Sequence, residues 1–267
     1  MVIDLHTHAF PDSLAPRAMA RLTDGNAKPF TDGTVGGLLR SMDAAGIDAS
    51  VICSIATKPD QFEPILKWSR TIASDRIIPL GSIHPEDPEA VVRVGKLKAA
   101  GLCGLKVHPY YQDFVLDDER LFPFYAAVEA SGLVLVSHTG FDPAFPRERR
   151  ADPARMMNLL SHFPRLNFLA THFGGWDDWD EVEARLIGQP VNLEISLTAE
   201  FLSTDRVRRM LLNHPQDRLF FGSDSPWGNP AESLRILENL ELPEYFFEKF
   251  LYMNASRLLL HQANPDA

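Results

Sequence analysis

Apolar positions recur along this chain in two alternating rhythms. Runs such as Ser50-Val51-Ile52-Cys53-Ser54-Ile55 and Leu133-Val134-Leu135-Val136-Ser137-His138 are short and nearly continuous, as strands buried on both faces must be. Between them the apolar residues fall at helical spacing. Leu38, Leu39, Met42 and Ala45 precede Gly46, and Leu121, Phe124, Tyr125 and Val128 precede Gly132. Phe62, Ile65, Leu66 and Ile72 form another such face, and Met156, Met157, Leu159 and Leu160 follow Pro153. Pro at the start and Gly at the end are ordinary helix boundaries. Further helices are expected from Pro88 through Leu97, around Val182 and Leu186, and from Val207 to Leu212.

Strands are expected to start near residues 3, 51, 77, 104, 133, 167, 191 and 219. Repeated βα units demand parallel strands with right-handed crossovers, and eight of them close a barrel. The predicted fold is α/β: a (β/α)8 TIM barrel, slightly distorted, forming one domain over residues 1–267. Two or three extra helices follow Pro230. The competing fold, an open doubly wound sheet, places a Gly-rich turn after its first strand; here that place holds His6-Thr7-His8. One stretch breaks the rhythm. Phe10 to Thr34 is polar and interrupted by Pro11, Pro16 and Pro29, and a loop of that length is expected to cover a site.

Composition narrows the functional classes. With 267 residues, 45% of them hydrophobic, the chain can bury a large core. A net charge of −10 argues against a nucleic-acid or anionic-membrane partner, which would need a basic face. The two cysteines, Cys53 and Cys103, lie in apolar runs and read as buried thiols of a reducing compartment. No apolar run approaches the roughly 20 residues of a membrane span, and the N-terminus carries no basic leader. The expectation is a soluble cytoplasmic protein.

The histidines then change the picture. His6 and His8 stand at i and i+2, so on one strand both point to the same side, and neutral imidazole is a common zinc ligand. Strand three ends at His84, strand four at Lys106 and His108, strand five at His138, strand six at His172 and strand eight at Asp224. Six of the nine histidines thus fall at strand ends, where a barrel carries its active site. His162, His214 and His261 lie in or beside helices.

These pieces resemble the amidohydrolase superfamily, in the amidohydrolase-related branch that also contains aminocarboxymuconate-semialdehyde decarboxylase-like enzymes. The likeness rests on Asp4-Leu5-His6-Thr7-His8, Gly104-Leu105-Lys106-Val107-His108-Pro109, Ser137-His138, Thr171-His172-Phe173-Gly174-Gly175, Gly222-Ser223-Asp224-Ser225-Pro226-Trp227 and Asn254-Ala255-Ser256-Arg257-Leu258-Leu259. The resemblance implies that His6, His8, His138 and Asp224 bind a divalent metal, most often Zn2+. It leaves open one or two ions per chain, with Lys106 and His172 as ligands of the second.

Asp224 is then the expected general base, and His172 either a ligand or a catalytic acid/base. Lys106 is open between a carboxylated bridging ligand, a partner for a substrate carboxylate, and a salt bridge to Asp4 or Glu194. His108 and Trp227 are expected to touch substrate, while His84 reads as structural. The run Arg147-Glu148-Arg149-Arg150 is open between an anion clamp and a solvated face. Trp176 to Asp180 is expected to open the next helix, its acids complementing the helix N-terminus.

The implied activity is hydrolysis of an amide, lactone or ester carbonyl by metal-activated water. The alternatives are a non-oxidative decarboxylase of an unsaturated or aromatic acid, and a non-catalytic barrel that keeps a metal. The expected partner is a small-molecule substrate, and a homodimer is left open.

Overall fold

The computed structural model describes residues 1–22 and 28–260. Its strands are β1 (Ile3–Thr7), β2 (Ala49–Ile52), β3 (Ile77–Pro79), β4 (Gly81–Ser82), β5 (Gly104–Val107), β6 (Val134–Ser137), β7 (Phe168–Ala170), β8 (Asn192–Glu194) and β9 (Leu219–Phe220). Every neighbouring pair is parallel. β3 and β4 are two halves of the expected third strand, split at Leu80; β3 pairs with β2 and β4 with β5. Eight staves therefore stand side by side, as the apolar rhythm predicted.

Bonds between the first and last staves close the ring. Leu5 N–H donates to Phe221 O at 3.0 Å, Asp224 N–H to His6 O at 2.7 Å and His8 N–H to Ser225 O at 2.6 Å. Thr7 and Ser225 also form a parallel bridge. The fold is a TIM barrel.

The helices are α1 (Ala15–Leu22), α2 (Val35–Ala45), α3 (Phe62–Ile72), α4 (Ala90–Ala99), α5 (Phe122–Ser131), α6 (Pro153–His162), α7 (Trp179–Arg185), α8 (Thr204–Asn213), α9 (Pro230–Glu238), α10 (Glu244–Glu248) and α11 (Asn254–Leu260). A π-helical segment, Lys249–Met253, joins the last two. Local chemistry sets their ends. Asp152 caps α6 by accepting from the N–H groups of Ala154 and Arg155, with Pro153 in its first turn. Thr34 caps α2, which stops at Gly46 with φ 69°. α4 begins two residues after Pro88, and Val91 and Val92 face solvent; Ala90, Val94 and Leu97 carry its buried side. Among the described residues no helix is long and apolar enough to cross a membrane. His261 lies outside the described residues.

Two apolar clusters follow from the strand alternation. Val51, Leu80, Val134, Val136, Leu169 and Phe220 meet Ile3 and Leu5 inside the barrel. The opposite strand faces, with Leu105, Leu135, Phe168 and Leu193, pack under the helices. Polar residues in phase with the inner cluster must point inward too. Lys106 is paired with Val136, and Glu194 with Phe220, so both project into the barrel.

β1 contains the one irregularity that bears on function. Ile3 pairs with Ala49 and Asp4 with Ser50, yet Thr7 pairs with Ile52, so β1 holds one residue more than β2 over that span. A one-residue bulge reverses which face later residues occupy. Ile3 and Leu5 point inward below it, and His6 and His8 point inward above it.

The long segment after β1 folds over the same end of the barrel. Phe10 N–H donates to Gly33 O, and Phe30 N–H donates to Pro226 O beside Trp227. Its middle, residues 23–27, lies outside the described residues.

Candidate metal centre

His6, His8 and Asp224 come together at the upper rim, all buried. Their donor atoms are evenly spaced. His6 Nε2 is 3.1 Å from His8 Nε2, and Asp224 Oδ1 is 3.4 Å from the first and 3.2 Å from the second. A tetrahedral ion with bonds of about 2.0–2.1 Å needs its donors about 3.3 Å apart. The triad therefore fits a small divalent cation.

The tautomer of His6 agrees with that fit. His6 Nδ1–H donates to Glu194 Oε2 at 2.9 Å, with Ser196 Oγ at 3.2 Å from the same nitrogen. The proton on Nδ1 leaves a lone pair on Nε2, as a ligand requires. Glu194 is fully buried and is held by the Ser196 N–H. Gly222 makes room for it: a Cβ at residue 222 would stand 2.5 Å from the Glu194 carboxyl.

Lys106 Nζ lies 3.1 Å from His6 Nε2, at the edge of the triad, and its side chain is wholly buried. Burial lowers its pKa, opposed by Cys53, Asp224 and Glu194. A bridge from Lys106 to Asp4 does not form. Asp4 lies below the bulge and faces outward, where it accepts from Ser223 Oγ at 2.5 Å and Ser223 N at 3.0 Å. Burial pushes the Asp4 carboxyl up to about 7 against those bonds.

The remaining expected ligands form a second group. His138 Nδ1 is 3.1 Å from His172 Nε2, while His138 Nε2–H donates to Phe141 O at 3.0 Å. His138 also stacks on His108, with ring centroids 4.2 Å apart. His138 thus groups with His108 and Asp142, a second set of buried donors close enough together to hold a metal ion. His172 bridges the two sets: its ring is 5.3 Å from that of His6 and 4.9 Å from that of His138. Ser196 Oγ stands 3.0 Å from His172 Nδ1.

Burial drives the pKa of His6, His108 and His172 well below the ordinary histidine value, and that of His138 down to about 3, with neighbouring imidazoles and Lys106 adding to it. These rings are neutral, the form that offers lone pairs to a metal or a proton to an acceptor.

His172 and Asp224 both adopt left-handed backbone, with φ 55° and 57°. For non-glycine residues this costs about 1–2 kcal/mol each and persists where surrounding structure imposes it. For Asp224 the imposing bonds are those that close the barrel.

The walls are aromatic. Trp227 meets the His8 ring edge-on at 5.1 Å, Trp176 meets His172 at 5.7 Å and Tyr111 meets His108 at 4.7 Å. His108 Nε2 lies 3.4 Å from Asp142 Oδ2, and burial pushes that carboxyl up to about 6. His84 accepts from Glu86 N–H in its own turn.

The arginine run is a solvated face, with the Arg147 and Arg149 side chains 60% and 48% exposed, and it is ion-paired throughout. Arg147 pairs with Asp177, Arg149 with Asp178 at 2.5 Å and Arg150 with Asp113 at 2.5 Å. These bonds strap the loop after β6 to its neighbours. They also engage Asp177 and Asp178 ahead of α7, whose first turn holds Asp180 and Glu181.

Ser196 carries no expectation from sequence, and Glu194 only that of a salt bridge to Lys106, whereas in the structure it pairs with His6. The available signal was the alternation Asn192-Leu193-Glu194-Ile195-Ser196, which puts polar groups at every second position of a strand otherwise apolar.

A closed parallel barrel with a His-x-His and aspartate triad at its upper rim defines a metal-site enzyme class. The amidohydrolase family profile matches residues 3–260, and the chain belongs to that family. A comparison with the curated proteins finds no match.

Solved structures share the fold. An uncharacterised TIM-barrel protein from Bordetella bronchiseptica is 21% identical with a TM-score of 0.81, covering 98% of this chain and 99% of its own. A 5-carboxyvanillate decarboxylase from Sphingomonas paucimobilis is 18% identical with a TM-score of 0.71, covering 97% and 98%. A 2,6-dihydroxybenzoate decarboxylase from Rhizobium is 16% identical with a TM-score of 0.70, also covering 97% and 98%.

Proposed function

We propose that the protein is a metal-dependent hydrolase of a C–N or C–O carbonyl (amide, lactone or ester) that holds one divalent ion, zinc by its donor set, through His6, His8 and Asp224. The observation that carries this is Asp224: one carboxylate oxygen stands with the two histidines, while its side chain keeps 12% exposure. When bound, the ion supplies Lewis-acid polarisation of the carbonyl and raises the acidity of water beside it.

The chain's own groups do the rest. Asp224 takes the proton from the attacking water and delivers it to the leaving group. His172, neutral and set between His6 and His138, is the chain's second acid/base group. Glu194 keeps the His6 proton on Nδ1. Trp227 and Tyr111 wall the pocket, with His108 beside them, and the segment after His8 excludes water.

A metal-replete screen over lactones, amides and esters tests this reading. Asp224→Asn should abolish turnover of whichever substrate is found; an unchanged rate sinks the mechanism.

A second reading, non-oxidative decarboxylation of an aromatic or unsaturated acid, draws on the two decarboxylases of similar fold and on the aromatic walls. Carbon dioxide release from dihydroxybenzoates or carboxyvanillate, with no lactone or ester turnover, would favour it.

A further inference from the structure

We propose that Phe201 is the outer end of a second subsite, which binds a neutral aromatic arm of the substrate beyond the pocket where the carbonyl reacts. The aromatic walls do not stop at the pocket. Trp176 meets both His172, at 5.7 Å, and Phe201, at 4.8 Å, edge-on in each case. His172 is buried, Trp176 half-buried and Phe201 62% exposed, so the rings step from the site to the surface. Trp179 backs Trp176 at 5.5 Å.

A single exposed phenylalanine is ordinary. This one is held out by a built turn. Phe201 N–H and Leu202 N–H both donate to Thr198 O, at 3.1 and 3.0 Å, and Thr198 Oγ1 donates to Ser196 O at 3.3 Å. Ala199 and Leu202 pack against the core, and Glu200 accepts from Ser233 Oγ of α9 at 2.6 Å. With its neighbours anchored, the turn presents the Phe201 ring outward. Trp176 is equally fixed, by backbone bonds to Thr139 and Phe141. The Trp176–Phe201 edge is thus set before anything binds, which lowers the cost of binding there.

The surroundings select the occupant. The rings continue the pocket without a break, so the group that covers them is attached to what the pocket holds. The exposed residues beside them in the chain are acids: Asp177, Asp180 and Glu200. An anionic arm would meet repulsion. A cationic one would find those carboxylates already bonded, to Arg147, Arg206 and Ser233. A flat neutral ring, stacked offset or edge-on as aromatic pairs prefer, suits the site. This subsite rests on the proposed hydrolase centre and extends its substrate class to an ester or amide whose far end carries an aryl group.

Hydroxamates chelate divalent ions and so anchor a probe at the proposed centre. Isothermal titration of the full-length protein loaded with zinc would compare acetohydroxamate, which has no arm, with phenyl-capped hydroxamates of successively longer alkyl spacers. Affinity should rise sharply at the spacer that carries the phenyl group to Phe201. For that probe F201A should bind about tenfold more weakly, the scale of one aromatic contact with its buried area, and F201Y should restore wild-type affinity. Acetohydroxamate should bind wild type and both variants equally, which reports that they are folded and loaded. A smooth rise with spacer length that F201A does not alter, or an equal loss for both kinds of probe, overturns the proposal. So does a wild-type dimer that F201A converts to a monomer in sedimentation, since Phe201 would then lie between two copies. If acetohydroxamate fails to bind while the long-armed probe binds in a Phe201-dependent way, the subsite stands and the proposed ion falls. If no probe binds, both fall.

Discussion

Gly222 and Glu194 show how closely one atom can govern this site. The Glu194 carboxyl occupies the space a Cβ at residue 222 would fill, and Glu194 fixes the proton of His6. Gly222→Ala should displace the carboxylate and release His6 from its ligand tautomer. The expected loss in affinity for the proposed divalent ion is about 10–100-fold, the usual consequence of removing such a hydrogen-bond partner. Competition with a chelating dye measures it, and an unchanged affinity would show that Glu194 does not orient His6.

His214 illustrates a different burial. Its Nε2–H donates to Val191 O at 2.8 Å, while its Nδ1 is buried without a partner, and burial lowers its pKa. The folded chain keeps this ring neutral, whereas the unfolded chain protonates it below about 6.5. More protons are bound by the unfolded state there, so the His214 contribution to stability is lost as pH falls below that value. His214→Gln should therefore flatten the acid side of the stability profile relative to wild type. Parallel denaturant titrations between pH 5 and 7 with identical slopes would contradict it.

At the level of elements, the loops after β6 and β7 are an extension of the barrel ladder. Trp176 N–H donates to Thr139 O at 2.9 Å and Phe141 N–H to Trp176 O at 2.8 Å, around Gly140 with φ 86°. A Cβ there would lie 2.0 Å from the Trp176 backbone nitrogen, which cannot retreat without breaking both bonds. Gly140→Ala should cost at least about 2 kcal/mol, the range of strained backbone and lost buried bonds, and should separate His138 from His172. Thermal melting reads the first effect; a variant as stable as wild type would show that the loops pack independently. Arg147 reinforces the same junction, lying 3.8 Å over the Phe141 ring while it pairs with Asp177.

Much of this level is legible from sequence, because apolar periodicity reports strands and helices directly. The bulge in β1 is not. It is a mismatch between two strands whose partners lie more than forty residues apart, and nothing in Ile3-Asp4-Leu5-His6-Thr7 announces it. The pairing of Arg147, Arg149 and Arg150 was likewise hidden, since their acids sit on other loops.

For the molecule as a whole, the ion and the fold should stabilise each other. The triad joins β1 to the loop after β9, so an ion there binds the folded chain across the closing seam and has no equivalent site in the unfolded one. At a concentration one hundred times its dissociation constant such a ligand adds about 2.7 kcal/mol. For a chain of this size that corresponds to a melting temperature about 5 °C higher. Chelation should lower the melting temperature by that order, and zinc should restore it. A melting temperature indifferent to both would remove the ion from its proposed place.

By itself the sequence determined the class of fold and the pool of functional side chains. Strand-length apolar runs, helical faces and helix boundaries are local signals, and eight such runs with helical faces between them leave few ways to bury them. The placement of histidines at strand ends followed from the same reading. Only the tertiary structure decided how that pool divides. His6, His8 and Asp224 share one cluster, while His138 turns to His108, Asp142 and His172. Glu194 and Ser196 then join the two groups from a strand whose polar alternation says nothing of the partners they meet. The reason is physical: a ligand set is defined by separations of about 3 Å between side-chain atoms. Those separations depend on register, bulges and ring closure among strands that meet only when the barrel is complete.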